Sequence, residues 1–183
     1  MANIHCLQTL DVEKANIIRS QWIEQIDTDA ENELQLLNSF FDHMIDEHSF
    51  GEVIERSNLS TNLSSYNTNT QEVEAIVEII FSRQGAKSIC KVMDVIYAPI
   101  FNKLDDDTYI EAYSNILISA LTVLLQINLK TKHGLTKIFA RNDMAIQTIS
   151  HIHKRLPQGI IVDGVKFNVE AQGRHWLMFE KVS

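Results

Sequence analysis

Apolar positions recur at spacings of three and four along most of the chain. Val12, Ala15, Ile18, Trp22 and Ile26 make one stripe over residues 11–26, with Thr9 or Asp11 placed to cap it, and predict a first helix. Leu34, Leu37, Phe40, Phe41, Met44 and Ile45 give a second, closing near Ser49 before Gly51. Residues 56–70 are rich in Ser, Asn and Thr, side chains that compete for their own backbone, and predict a long loop. A third helix is expected over Glu72 to Arg83, with Val73, Ile76, Val77, Ile80 and Phe81 inward, ended by Gly85. A fourth runs from Ala86 to Tyr97 and is stopped by Pro99. Asp105, Asp106 and Asp107 open a fifth, with their carboxylates at the positive end of the helix dipole. It carries Tyr109, Tyr113, Ile116, Leu117, Ala120, Leu121, Leu124 and Leu125, the most apolar run in the chain. A sixth takes Leu135 to Lys154.

After Pro157 the period changes. Ile160–Val162 meets Asp163-Gly164, and Val165, Phe167 and Val169 then alternate with polar residues, a hairpin pattern. A further strand is expected at His175–Phe179. The expected fold is therefore mainly α: a six-helix bundle over residues 1–156 with a small C-terminal β-meander over 157–183.

Composition narrows this. A chain of 183 residues with only 6 Gly and 2 Pro does not read as a sandwich or barrel of many tight turns. The net charge of −8 argues against a nucleic-acid partner. No basic cluster exceeds Lys154-Arg155, which argues against an anionic membrane surface. The longest apolar stretch, Ile116 to Ile127, is interrupted by Ser119, Thr122 and Gln126 and falls short of the ~20 residues of a membrane span. The N-terminus shows no secretory pattern, and Cys6 and Cys90 are too far apart for a metal or redox motif. A cytoplasmic protein with reduced thiols is expected.

The chemical residues form no known constellation. His151 and His153 would lie on different faces of a helix, as would His43 and His48, so no metal site is expected. The stretch Arg83–Ser88 lacks the first glycine of a phosphate loop, and no nucleophile elbow occurs. Cys90, between Ile89 and Val92, reads as a buried inert thiol. No catalytic residue and no enzyme is expected; an enzymatic reading would have to place its chemistry in the meander around His175 and Trp176.

The stretch Glu13–Trp22 resembles the first helix of globins, and Phe40–His48 the second helix of bacterial haemoglobins. Val92–Pro99, with Leu104 and Tyr109–Tyr113, resembles the haem-proximal segment of globin-coupled sensors. That resemblance implies a globin-like fold over about residues 10–155. It also places Pro99 where the iron-binding histidine should stand, with no histidine between His48 and His133. Haem is therefore not expected as a cofactor, and the chain resembles the non-haem globin domains of stressosome RsbR proteins. The implied function is a non-haem sensory or regulatory protein, signalling by a ligand- or partner-driven change in helix packing. A haem globin with an unexpected iron ligand is the alternative. The resemblance further implies a homodimer through the fifth and sixth helices. It implies a pocket lined by Phe41, Tyr97, Phe101, Tyr113 and Leu117, either filled by side chains or holding an apolar ligand such as a fatty acid.

Overall fold

The segment from Glu72 to Tyr97 carries Val73, Ile76, Val77, Ile79, Ile80, Ile89, Val92, Val95 and Ile96, a density of β-branched residues that suits a strand better than a helix. The computed structural model describes residues 5–47, 59–84, 87–129 and 133–182 and shows strands there. The elements in order are β1 (His5–Thr9), α1 (Val12–Ile23), α2 (Glu31–Asp46), β2 (Leu59–Asn67), β3 (Glu72–Gln84), β4 (Lys87–Tyr97), a 3-10 turn (Pro99–Lys103), α3 (Asp106–Leu129), β5 (His133–Phe139), α4 (Asp143–Arg155), β6 (Ile160–Val162), β7 (Val165–Gln172) and β8 (Trp176–Lys181).

The strands form a single eight-stranded sheet in the order β1-β2-β3-β4-β5-β8-β7-β6. Every neighbouring pair is antiparallel except β4 and β5, which run parallel and are joined through α3. A parallel pair requires a crossover of this length. Apolar side chains leave β3 on both sides. Val77, Ile79 and Phe81 join the core under α3 and α4, while Ile76 joins a second core with Trp22, Phe41 and Met44 of α1 and α2. A strand covered on both faces reads as a continuous apolar run, and here that run mimics helical spacing.

The mainly α, globin-like six-helix bundle is thus corrected to a mixed α/β fold with four helices among the described residues. The expected third and fourth helices are the β3–β4 hairpin. The expected sixth splits into β5 and α4 at Asn142, whose side chain caps α4 by accepting from the Ala145 N–H at 2.8 Å. Residues 59–67, expected in the polar loop, are β2; two of its polar side chains are used internally, Ser64 Oγ bonding the Gln8 carbonyl and Asn67 Nδ2 the Glu74 carboxylate. Residues 48–58, where the second helix was expected to close and the loop to begin, lie outside the described residues, as do Gly85 and Ala86.

Other expectations meet matching elements. Asp11 caps α1 by accepting from the Lys14 N–H at 2.8 Å. Asp105 caps α3, its carboxylate accepting from the Thr108 N–H and hydroxyl. The hairpin turns at Asp163 and Gly164, both with positive φ (49° and 79°). Residues 160–181, expected to form a meander of their own, supply three strands of the same sheet through β5–β8 pairing.

The helix-to-helix homodimer falls with the bundle. Leu121, Leu124 and Leu125 of the expected fifth helix, now α3, are fully buried within the subunit. α3 is the one described helix long and apolar enough to cross a membrane, and it serves here as the core helix of the sheet.

Candidate functional site

Pairing between β4 and β5 starts at Lys87↔His133 and stops at Val92↔Ile138. β4 nevertheless continues alongside β3 as far as Tyr97, opposite Ala75. The two parallel strands therefore part at their carboxyl ends, the position at which open α/β sheets bind ligands. A bulge initiates the parting. Val92 lies opposite Ile79 and Asp94 opposite Glu78, so Met93 is an extra residue with no partner on β3. Bulges of this kind bend a strand and redirect its side chains.

The gap opens to both faces of the sheet. On the α3/α4 side lies a narrow cavity of about 40 Å³, bordered by Val95, Tyr113, Leu117, Ile138, Asn142 and Ile149. On the α2 side lies a cavity of about 410 Å³, bordered by Phe40, His43, Met44, Asn62, Ile76, Glu78 and Ile96. Asp94 and Arg141 border both. Asp94 Oδ2 meets Arg141 Nη1 at 2.9 Å, an ion pair that ties β4 to the β5–α4 connection across the gap.

Beyond the bulge, the backbone edge of β4 is satisfied by side chains in place of a strand. The Val95 N–H donates to Asp94 Oδ1 at 3.0 Å, and the Val95 carbonyl accepts from the Tyr113 hydroxyl at 3.4 Å. In an extended strand one residue's N–H and C=O share an edge, so Val95 presents one donor and one acceptor to the gap. A ligand carrying an amide could replace both side chains there.

Tyr113 stacks on Tyr97, which meets Phe101 edge-on, and Tyr109 lies beside Tyr113. Burial is the first cause raising the pKa of Tyr113, and Tyr109 and Asp94 add to it; Tyr97 is raised in the same way. Of the five residues expected to line a pocket, Tyr113 and Leu117 border the narrow cavity. Tyr97 and Phe101 pack behind Tyr113, and Phe41 lies in the α1–α2 core against Trp22 and Phe40. Sequence reasoning weighed His43 only as a metal ligand and missed Glu78, Asp94 and Arg141. The detectable signal was a carboxylate inside each of two apolar runs, Glu78 and Asp94, which a helical reading places on a solvated face.

Cys90 is buried, and burial pushes its thiol up to about 12, consistent with an inert role. His175 contacts the Ala140 carbonyl through Nδ1 at 2.8 Å, and Trp176 packs on Phe139, so these two anchor β8 to β5. Among the described residues no cluster of His, Cys, Asp and Glu could hold a metal ion.

Neither a protein-family model nor a curated protein sequence matches the chain. Solved structures that align with it include a candidate ribosomal-protein-serine acetyltransferase from Vibrio cholerae, at 10% identity and a TM-score of 0.46, covering 100% of this chain and 96% of that one. A GNAT-family acetyltransferase from Bacillus anthracis aligns at 8% identity and 0.41, covering 99% and 95%. A dodecameric spermidine N-acetyltransferase from Vibrio cholerae aligns at 12% and 0.39, covering 97% and 92%. Likeness at this level establishes neither the fold nor the activity of this chain. None of these is a globin. The non-catalytic sensor, the alternative haem globin and the fatty-acid pocket all rested on the globin-like bundle, and the mixed sheet removes that basis.

Proposed function

We propose that the chain is an enzyme that transfers an acyl group from a thioester to an amine across the β4–β5 opening. The observation that carries this reading is the opening itself. A cavity lies on each face of the sheet there, and Asp94 and Arg141 border both. The larger cavity, with Glu78, Asp94 and His43 on its border, suits a cationic amine. Beside the narrow one, the Val95 amide and carbonyl present a β4 edge that suits pairing with the amide-bearing arm of a thioester.

In the reaction the amine nitrogen bonds to the thioester carbonyl carbon, the C–S bond breaks, and the thiol leaves as thiolate. Glu78 is the group proposed to take the ammonium proton before attack. Tyr113 holds a hydrogen bond at the donor side but does not supply the proton. Its pKa is raised above the usual phenol range, so it is a weaker acid than a thiol of pKa ~8.5. The leaving thiolate is accordingly proposed to take its proton from water. The same proposal keeps the chain in the cytoplasm, supported by two unpaired cysteines.

The test is acyl transfer by the purified chain from acetyl-pantetheine and acetyl-coenzyme A to primary amines of increasing positive charge, read by mass spectrometry. Glu78→Gln should lower turnover by about 100-fold or more, the usual weight of a general base. Absence of acyl transfer above the uncatalysed rate with every donor and amine would reject the proposal.

A further inference from the structure

Resting on the acyl-transfer reading, we infer that the donor is held by its neutral pantetheine-type arm alone, and that a nucleotide pyrophosphate contributes nothing to its binding. Phosphate groups commonly seat on the bare N–H groups and positive dipole of a helix N-terminus at such an opening. Two helix starts flank this one, and both are occupied by the protein's own groups.

At α3 the first turn is closed by the Asp105 carboxylate on the Thr108 N–H and hydroxyl, and Asp106 and Asp107 follow in the same turn. Hydrogen bonds from Thr108 hold the Asp105 carboxyl below its ordinary pKa, so the cap is anionic at neutral pH. The connection leading into it, residues 98–105, contains no glycine; Pro99 and Phe101 are buried there. A phosphate would meet three carboxylates where it needs N–H donors.

At α4 the Asn142 side chain takes the Ala145 N–H, and Asp143 sits in the first turn, paired with Arg174 at 2.8 Å. The cations of this region are likewise committed: Lys103 to Asp27 at 2.9 Å and Arg141 to Asp94 at 2.9 Å. Apart from the Asp94–Arg141 pair, what the donor side of the opening offers is uncharged, namely the Val95 N–H and carbonyl and the apolar walls of Leu117, Ile138 and Ile149. That set recognises an amide and an alkyl chain. An arm that binds there replaces the Asp94 and Tyr113 caps with its own amide groups on the same N–H and carbonyl.

Calorimetry with the full chain tests this, using pantetheine, coenzyme A and adenosine 3′,5′-bisphosphate as probes. Pantetheine and coenzyme A should bind within about threefold of each other. Their ratio should hold from about 0.05 to 0.5 M salt, and the bisphosphate should neither bind nor compete. The double variant Asp106→Asn, Asp107→Asn leaves the Asp105 cap in place. It should change the binding of coenzyme A and of pantetheine alike by less than about threefold. Coenzyme A binding more than about 30-fold tighter than pantetheine, with the bisphosphate competing, would overturn this inference and leave the acyl-transfer reading standing. Binding of neither pantetheine nor coenzyme A would overturn both.

Discussion

Asp94 makes two contacts that can be separated by substitution. Its Oδ2 pairs with Arg141 across the gap, and its Oδ1 accepts from the Val95 N–H. Asp94→Asn removes the charge but keeps an oxygen for the N–H. The Arg141 and Asp94 side chains are 62% and 30% exposed, so solvent screens the pair, and its loss should cost about 0.5 kcal/mol, within the range of surface ion pairs. Asp94→Ala also strips the acceptor from a half-buried N–H. That adds about 1 kcal/mol, the low end of the penalty for an unsatisfied donor, because water reaches the gap. Urea unfolding followed by far-ultraviolet circular dichroism should place Asp94→Asn close to wild type and Asp94→Ala about 1–2 kcal/mol below it, with equal m-values. In about 1 M salt the difference between wild type and Asp94→Asn should shrink, while the difference between the two variants persists. Equal losses in both variants would show that Asp94 does not cap the β4 edge. A large, salt-independent loss in Asp94→Asn would show that the ion pair, and not the edge cap, holds the strands.

Glu74 is drawn up by burial, but hydrogen bonds from His5, Asn67 and Thr70 outweigh this and hold it below 4.5. A depressed carboxyl stabilises the fold above its unfolded pKa and loses that contribution as pH falls through its folded value; Glu74→Gln should therefore flatten the acid limb below pH 4.5 in a stability–pH profile, and an unchanged limb would refute this. Cys90 should resist thiol reagents at pH ~8 until urea unfolds the chain, whereas half-exposed Cys6 reacts in the native state; rapid native labelling of Cys90, located by peptide mapping, would contradict its burial. Gly159 has φ +84°, and a Cβ there would lie 2.1 Å from the Phe167 carbonyl oxygen, whereas one at Gly164, with φ +79°, would meet nothing. Gly159→Ala should cost about 3 kcal/mol or more and Gly164→Ala about 1 kcal/mol, and equal melting temperatures for the two would refute the close approach.

Three of the four described helices were legible: α1 and α3 by their caps, Asp11 and Asp105, and α2, which has no side-chain cap, by its stripe of Leu37, Phe41 and Met44. The hairpin at Asp163-Gly164 was legible because its turn needs two residues at positive φ. β3 and β4 were not, since burial on both faces erases alternation and leaves Val73, Ile76, Val77, Ile80 and Phe81 at helical spacings by coincidence. Asn142, an N-cap in the middle of an expected helix, was the local mark that β5 and α4 are separate elements. The globin resemblance inherited the same error, because its haem-proximal segment, Val92–Pro99, is a strand and a 3-10 turn.

The misread strands and the overlooked site share one cause. β3 and β4 are apolar on both faces for as long as helices cover both faces. Glu78 and Asp94 interrupt those runs opposite one another, at the bulge. A carboxylate in the interior of a doubly covered strand costs several kcal/mol unless that stretch of strand meets water, a cation or a ligand. Here it meets the cavity beneath α2 and, at Asp94, the Arg141 guanidinium. The paired interruption therefore marks where the covering stops, and the covering stops where β4 leaves β5. Long-range pairing makes this visible: Glu78 and Asp94 lie far apart along the chain and face each other only once β3 and β4 are antiparallel, with Met93 bulged out between Val92 and Asp94. The site is a property of the sheet register, and no helical reading of the same residues could have assembled it.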